Sequence, residues 1–484
     1  MVSRSKPKIS LREQAVALTG ALTLAYTAWG FGGVIAWSLH VMLAGGLATF
    51  ALAVLPLPQR VSQASGLSPQ LASFLRTPAL YFAAAFLLYL AIAAWNPAWQ
   101  IASDERGWWL ESVTPPLAVW LPTSVAAPYE PMNAWRIFNM HLAAFSLAFG
   151  FYFGLSSRRS AQCVLWFFLI NVALMAAVAI AQKYTGAEEV LWSLPSENPQ
   201  FWGSFFYRNQ GAAFLNWGIV IAGALYFYHS GRAREQGRSG GPHFLAFCLI
   251  GLIAASVGLA LSRGGILFAA ILVAAFLLLV LLDYLRTAFR SPPALFLPLS
   301  LILATLLVLG LYQTYRSIDW QAVEQRFGDI EATIEDADRD ARVLSSKLTW
   351  FMAKDAIWTG WGAGSFRYAF PMYQQELPEL FYQYHHRKKG WMGRKFYRYA
   401  HNDILQFLAE YGIVGCSLLL LAIFSFLLSG LRFQLSSLWL LLGLACAMGH
   451  AFLDFIFHSP SFWVACIASL ALVSRLLLLE ARRG

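Results

Sequence analysis

Basic side chains crowd the approach to one long apolar helix, and a histidine stands at its start. Arg387, Lys388, Lys389, Arg394, Lys395 and Arg398 lead into Tyr399, His401 and Asn402, after which the apolar run through Gly415 begins. Unpaired N–H groups and the positive end of the helix dipole favour an anion at such a start. A neutral imidazole there can take up a proton near physiological pH. Taken alone, an interfacial His that merely caps the helix fits as well. Three arginines also lie close to apolar stretches: Arg208 in Phe205-Phe-Tyr-Arg-Asn-Gln210, Arg263 in Ser262-Arg-Gly-Gly265, and Arg136. A guanidinium near hydrocarbon is expensive and usually marks function, unless it snorkels to the headgroups. Snorkelling suits Arg136, whereas the two glycines after Arg263 permit close backbone approach at a new helix start. His450, Asp454 and His458 recur every four residues, which predicts one helix face. Such a set reads as a polar seam within a bundle, ahead of a metal site.

The elements that must hold these groups are membrane helices. The chain of 484 residues is 58% hydrophobic and 12% charged, about half the charge of a soluble protein. Twelve stretches approach the roughly 20 apolar residues a span requires: 13–29, 34–56, 78–96, 135–155, 161–182, 204–229, 243–262, 266–285, 295–313, 401–428, 436–457 and 460–479. The expected architecture is an all-α polytopic membrane protein: a bundle over 1–313, a long external loop over 314–400, and the last three spans over 401–484, all one integrated domain. With the N-terminus inside, the short cytoplasmic segments hold 17 of the 35 basic residues and the short outer connections five, so both termini are cytoplasmic. His401, Arg208 and Arg263 then share the outer side. The five cysteines all fall in apolar runs and read as buried small residues. The retained first span reads as an anchor.

A loop of 314–400 is too long for a connector. Its first part is acidic, and a surface-lying amphipathic helix is expected from Arg342 to Trp358, ending in the turn Gly360-Trp-Gly-Ala-Gly364. Those glycines follow no strand, which argues against a nucleotide site. The aromatic, basic end of the loop would suit single-stranded nucleic acid, but its outer location excludes that partner. Sugar rings and phosphate fit the same side chains.

The stretch His401-Asn-Asp-Ile-Leu-Gln-Phe-Leu-Ala-Glu-Tyr-Gly-Ile-Val-Gly415 resembles the signature of the bacterial O-antigen ligase and polymerase superfamily. So do Ser262-Arg-Gly-Gly265, Tyr207-Arg-Asn-Gln210, the 450–458 segment and the loop from Asp340 through Gly364. The likeness covers roughly residues 200–460. It departs at Tyr207-Arg-Asn-Gln, where many relatives have Asn-Arg-Asn-His, and in the basic 387–398 insert. The resemblance implies a GT-C-like inner-membrane glycosyltransferase with a periplasmic site. It implies a glycan donor on undecaprenyl pyrophosphate, with lipid A core or another glycan as acceptor. Membrane lipids are the surroundings, and no cofactor or metal is expected. Carried onto this chain, the functional set is His401 as base with Arg263 and Arg208 on the pyrophosphate, in an inverting transfer. Arg342, Arg398, Tyr399, Asn402, Asp454 and His458 are expected to bind substrate. A lipid-linked glycan flippase is the competing class, although no internal repeat supports it.

Overall fold

In a computed structural model, the described residues are 9–54, 76–105, 107–196, 198–238, 240–288, 341–385, 390–431 and 434–481. Among the described residues eight helices precede the long loop: α1 (Leu11–Tyr26), α2 (Ala36–Val54), α3 (Pro78–Trp95), α4 (Ala134–Gly154), α5 (Arg158–Tyr184), α6 (Arg208–Glu235), α7 (His243–Leu259) and α8 (Arg263–Ala288). The loop contributes α9 (Ala341–Asp355), α10 (Phe366–Gln374) and α11 (Pro378–Phe381), and three helices close the chain: α12 (Asp403–Gly430), α13 (Leu435–Leu453) and α14 (Pro460–Ala481). Among the described residues nine helices are long and apolar enough to cross a membrane. Helix α7, at 17 residues, falls just short in length, and α1 has 16 and carries Arg12 and Glu13. Eleven of the twelve expected spans coincide with these helices; the ninth, 295–313, lies outside the described residues, as does the acidic run up to residue 340.

Helix starts follow local chemistry. The side chain of Asn133 accepts from the N–H groups of Trp135 and Arg136, that of Ser157 from Ser160, and Pro78 opens α3 where a missing donor costs nothing. Helix α6 has no lipid-facing side: its most apolar window is wholly buried, whereas only 22% of that of α8 is. Around α6 pack α7, α8 and α13, while α4 joins α2 to α14. One large apolar core runs through the bundle, and a second lies in the loop layer, where Leu344, Leu348 and Met352 of α9 meet Phe366 and Phe370 of α10.

Two small sheets among the described residues were not anticipated. Strands β1 (Pro97–Asp104), β2 (Gly107–Ser112) and β3 (Ser124–Ala126) form a sheet ordered β2-β1-β3, antiparallel then parallel. Strands β4 (Tyr382–His385) and β5 (Gly390–Arg394) form an antiparallel hairpin in the basic insert. Arg387, Lys388 and Lys389 lie outside the described residues.

Helix α12 is broken inside the bundle. Gly412 takes φ +61°, ψ −175°, and the loop before α10 fills the gap. The N–H groups of Ile413 and Val414 donate to the carbonyls of Ile357 and Trp358, at 2.8 and 3.1 Å. In return Trp361 and Gly362 donate to the carbonyls of Ala409 and Glu410, at 2.9 and 2.8 Å. Glu410, wholly buried, accepts from the N–H groups of Gly364 and Phe366 at 3.0 and 3.2 Å. The hydroxyl of Tyr89 in α3 lies 2.5 Å from the Thr359 carbonyl and 2.9 Å from that of Tyr411. Backbone groups released at depth must find partners within the protein, and here they do. The loop layer and the bundle are thereby clasped together beneath His401.

Candidate functional site

The site sits where four chain segments end: the starts of α6, α8 and α12, and the end of α13. His401 precedes α12 with φ +56°, a left-handed conformation uncommon outside glycine. Its Nδ1 lies 3.3 Å from Oδ1 of Asp454, and the ring is 27% exposed. Its edge meets Phe455 at 4.9 Å. Phe455 is in turn stacked between Tyr207 (4.8 Å) and Tyr399 (4.4 Å), so three parallel rings form one wall.

Asp454 is the hub. Its Oδ1 also accepts from the N–H of Phe455 at 2.9 Å, its Oδ2 accepts from Asn209 Nδ2, and Nη2 of Arg342 is 3.9 Å from Oδ2. Burial alone would raise its pKa. The hydrogen bond and charge of His401, the Arg342 charge and the Phe455 N–H outweigh burial and hold it below the ordinary carboxylate value. An ionised carboxylate only accepts. Nδ1 of His401 is therefore the donor in this pair.

Arg208 is the first residue of α6, not one turn inside it as its spacing suggested, because the helix begins only after the Trp202–Phe205 turn. It reaches this region beside Tyr207, whose hydroxyl burial pushes up and which feels the charges of Asp454, Arg342 and Arg208 together. Arg263 opens α8, and its neighbour Gly264 rests on the ring of His450: a Cβ there would lie 2.8 Å from Cδ2 and Nε2. His450 is one turn before Asp454, whose N–H it accepts at 3.0 Å. Arg398 is exposed on the approach, and desolvation pushes the half-buried Tyr399 up to about 12, which keeps its phenol protonated.

Two expected ligand-binding residues face elsewhere. Asn402 is 2% exposed, and its side-chain oxygen caps α12 by accepting from Leu405 N–H at 3.1 Å. His458 is buried below the site, with Nδ1 2.5 Å from Asp403 Oδ1 and Nε2 3.0 Å from Gln406 Nε2. Asp403 also accepts from the N–H of Phe457 at 2.7 Å, so the pair pins the 454–458 turn under His401. Nor do His450, Asp454 and His458 share a helix face: α13 stops at Leu453, where Asp454 turns extended at φ −159°, ψ 178°. Arg136 does not snorkel either. It is 5% exposed and donates to the carbonyls of Gly33 and Val34. Asn209, Asp403 and Glu410 escaped the sequence reading, although acidic residues inside an apolar run were a visible signal.

Fold and site together define an all-α polytopic membrane protein with a His–Asp pair and several guanidinium groups at one end of its bundle. Residues 247–420 match the family model described as O-antigen ligase. Residues 247–420 are thus similar to the O-antigen ligase and polymerase superfamily, and that match supports an activity of this type. The match includes Arg263, Arg342 and His401 but stops short of Arg208 and Asp454. No curated protein matches the chain.

Proposed function

We propose that this protein transfers a glycan from a polyprenyl pyrophosphate donor to an acceptor hydroxyl, with inversion, on the periplasmic side of a bacterial inner membrane. The observation that carries the reading is the His401–Asp454 pair with Arg342 alongside. His401 Nε2 takes the acceptor's O–H proton as the oxygen attacks the anomeric carbon. The bond from that carbon to the pyrophosphate oxygen breaks, and its electron pair leaves with the pyrophosphate. Arg263 and Arg208 offer forked donors to the charge that gathers there, with Arg342 beside Asp454. Asp454 keeps His401 in the productive tautomer. Tyr399, backed by Phe455, is the ring offered to a sugar, and Arg398 lies on the path into the site.

The decisive experiment reconstitutes the purified protein with a lipid-linked glycan donor and follows new glycosidic bonds. Wild-type protein should form them and His401→Ala should not, while remaining inserted in the membrane. Movement of donor across the bilayer without bond formation would replace this reading with transport.

A further inference from the structure

From Val113 to Tyr129 the chain carries no charged residue. Within that stretch one buried side chain shapes a turn. Asn96, the residue after the last of α3, has no exposed surface. Its Oδ1 accepts from the N–H groups of Leu117 (2.8 Å) and Ala118 (3.3 Å). Its Nδ2 donates to the carbonyls of Ala118 (2.8 Å) and Pro122 (3.2 Å). Both lone pairs and both protons of the amide are used, so the turn is held rigidly. What it displays is apolar: Leu117, Val119 and Trp120 are 54%, 78% and 77% exposed.

The height of this turn is set by α3. Eighteen residues at about 1.5 Å each span roughly 27 Å, close to the hydrocarbon thickness of about 30 Å. Asn96 therefore stands at the membrane boundary. Its neighbour Trp95 is 65% exposed and meets Trp135, in the first turn of α4, edge-on at 5.2 Å. Tryptophans collect at that level because they are apolar in body and polar at one edge.

We propose that Leu117–Trp120 is an interfacial anchor, inserted in the headgroup region of the leaflet on the His401 side. A charged partner finds nothing to pair with in the segment, and the helix that leads into it, α3, is itself open to lipid, with Leu88 62% exposed. Strand β1 starts directly after Asn96, and its Trp99 packs on Trp361 of the clasp at 5.6 Å. The anchor thus ties the height of the loop layer, and of the site it helps to build, to the bilayer surface. This inference does not depend on the proposed reaction.

The test places an environment-sensitive fluorophore on Val119→Cys, with exposed Cys163 and Cys248 changed to Ser, in nanodiscs of phosphatidylethanolamine and phosphatidylglycerol. Ser112→Cys, on exposed β2, serves as the reference position. At Val119 the expected result is blue-shifted emission, quenched by lipids brominated near the top of the acyl chain and insensitive to aqueous iodide. Ser112 should show the reverse. Iodide quenching at Val119 without bromolipid quenching would overturn the anchor. So would protection from both quenchers, which would indicate a protein contact.

Discussion

His401 combines a left-handed backbone with a polarised ring. Such a conformation costs on the order of 1 kcal/mol and persists when surrounding structure enforces it, commonly at functional sites. Asparagine tolerates the same conformation. His401→Asn should therefore still fold and insert, yet lose transfer by at least ~100-fold, the scale of a missing general base. A variant that still transferred would remove His401 from the chemistry. Asp454→Asn probes the partner. Because the native carboxyl lies below its ordinary value, its contribution is fully present above the unfolded value of about 4 and is lost as pH falls through the folded one. The melting difference between Asp454→Asn and wild type should be largest at neutral pH and close in acid. A gap that widened in acid would reverse the assignment. For the arginines, Arg263→Lys keeps the charge but loses the fork, and transfer should fall measurably if two phosphate oxygens are held at once.

At the scale of elements, the broken α12 has an informative glycine. In an unbroken helix, Gly412→Ala would stabilise by about 1 kcal/mol. Here the new Cβ would lie 2.4 Å from the Trp358 carbonyl oxygen, on a backbone at φ +61°, ψ −175°. The substitution should instead destabilise by more than ~2 kcal/mol, read as a lowered melting temperature in detergent. The sign alone decides whether the clasp exists. Tyr89→Phe removes the hydroxyl that meets Thr359 and Tyr411, and should cost about 1 kcal/mol. The turn after α13 shows why such features escape sequence reading. A four-residue spacing means a shared face only while the helix lasts, and Asp454 ends it. His450 then lies on Gly264, Asp454 turns to His401, and His458 turns down to Asp403.

On the scale of the whole molecule, the bias of basic residues predicts both termini on the face opposite His401. Reporter domains that are active on only one side of the membrane, fused after Gly484, would check this; activity on the His401 side would invert the topology. Hydropathy was enough to find the helices, because each must hide its backbone from lipid by local bonding and so writes its length into consecutive residues. Motifs within those helices likewise named His401, Arg208 and Arg263. The partners of these groups were a different matter. That Asn209 reaches Asp454, that Asp403 pins His458, and that Gly412 opens for the 357–362 loop depend on contacts between distant segments. No periodicity in one stretch records what another stretch brings to it, so composition and pattern determined the membrane bundle and the end where its histidine and arginines gather, while packing alone decided which side chains meet there.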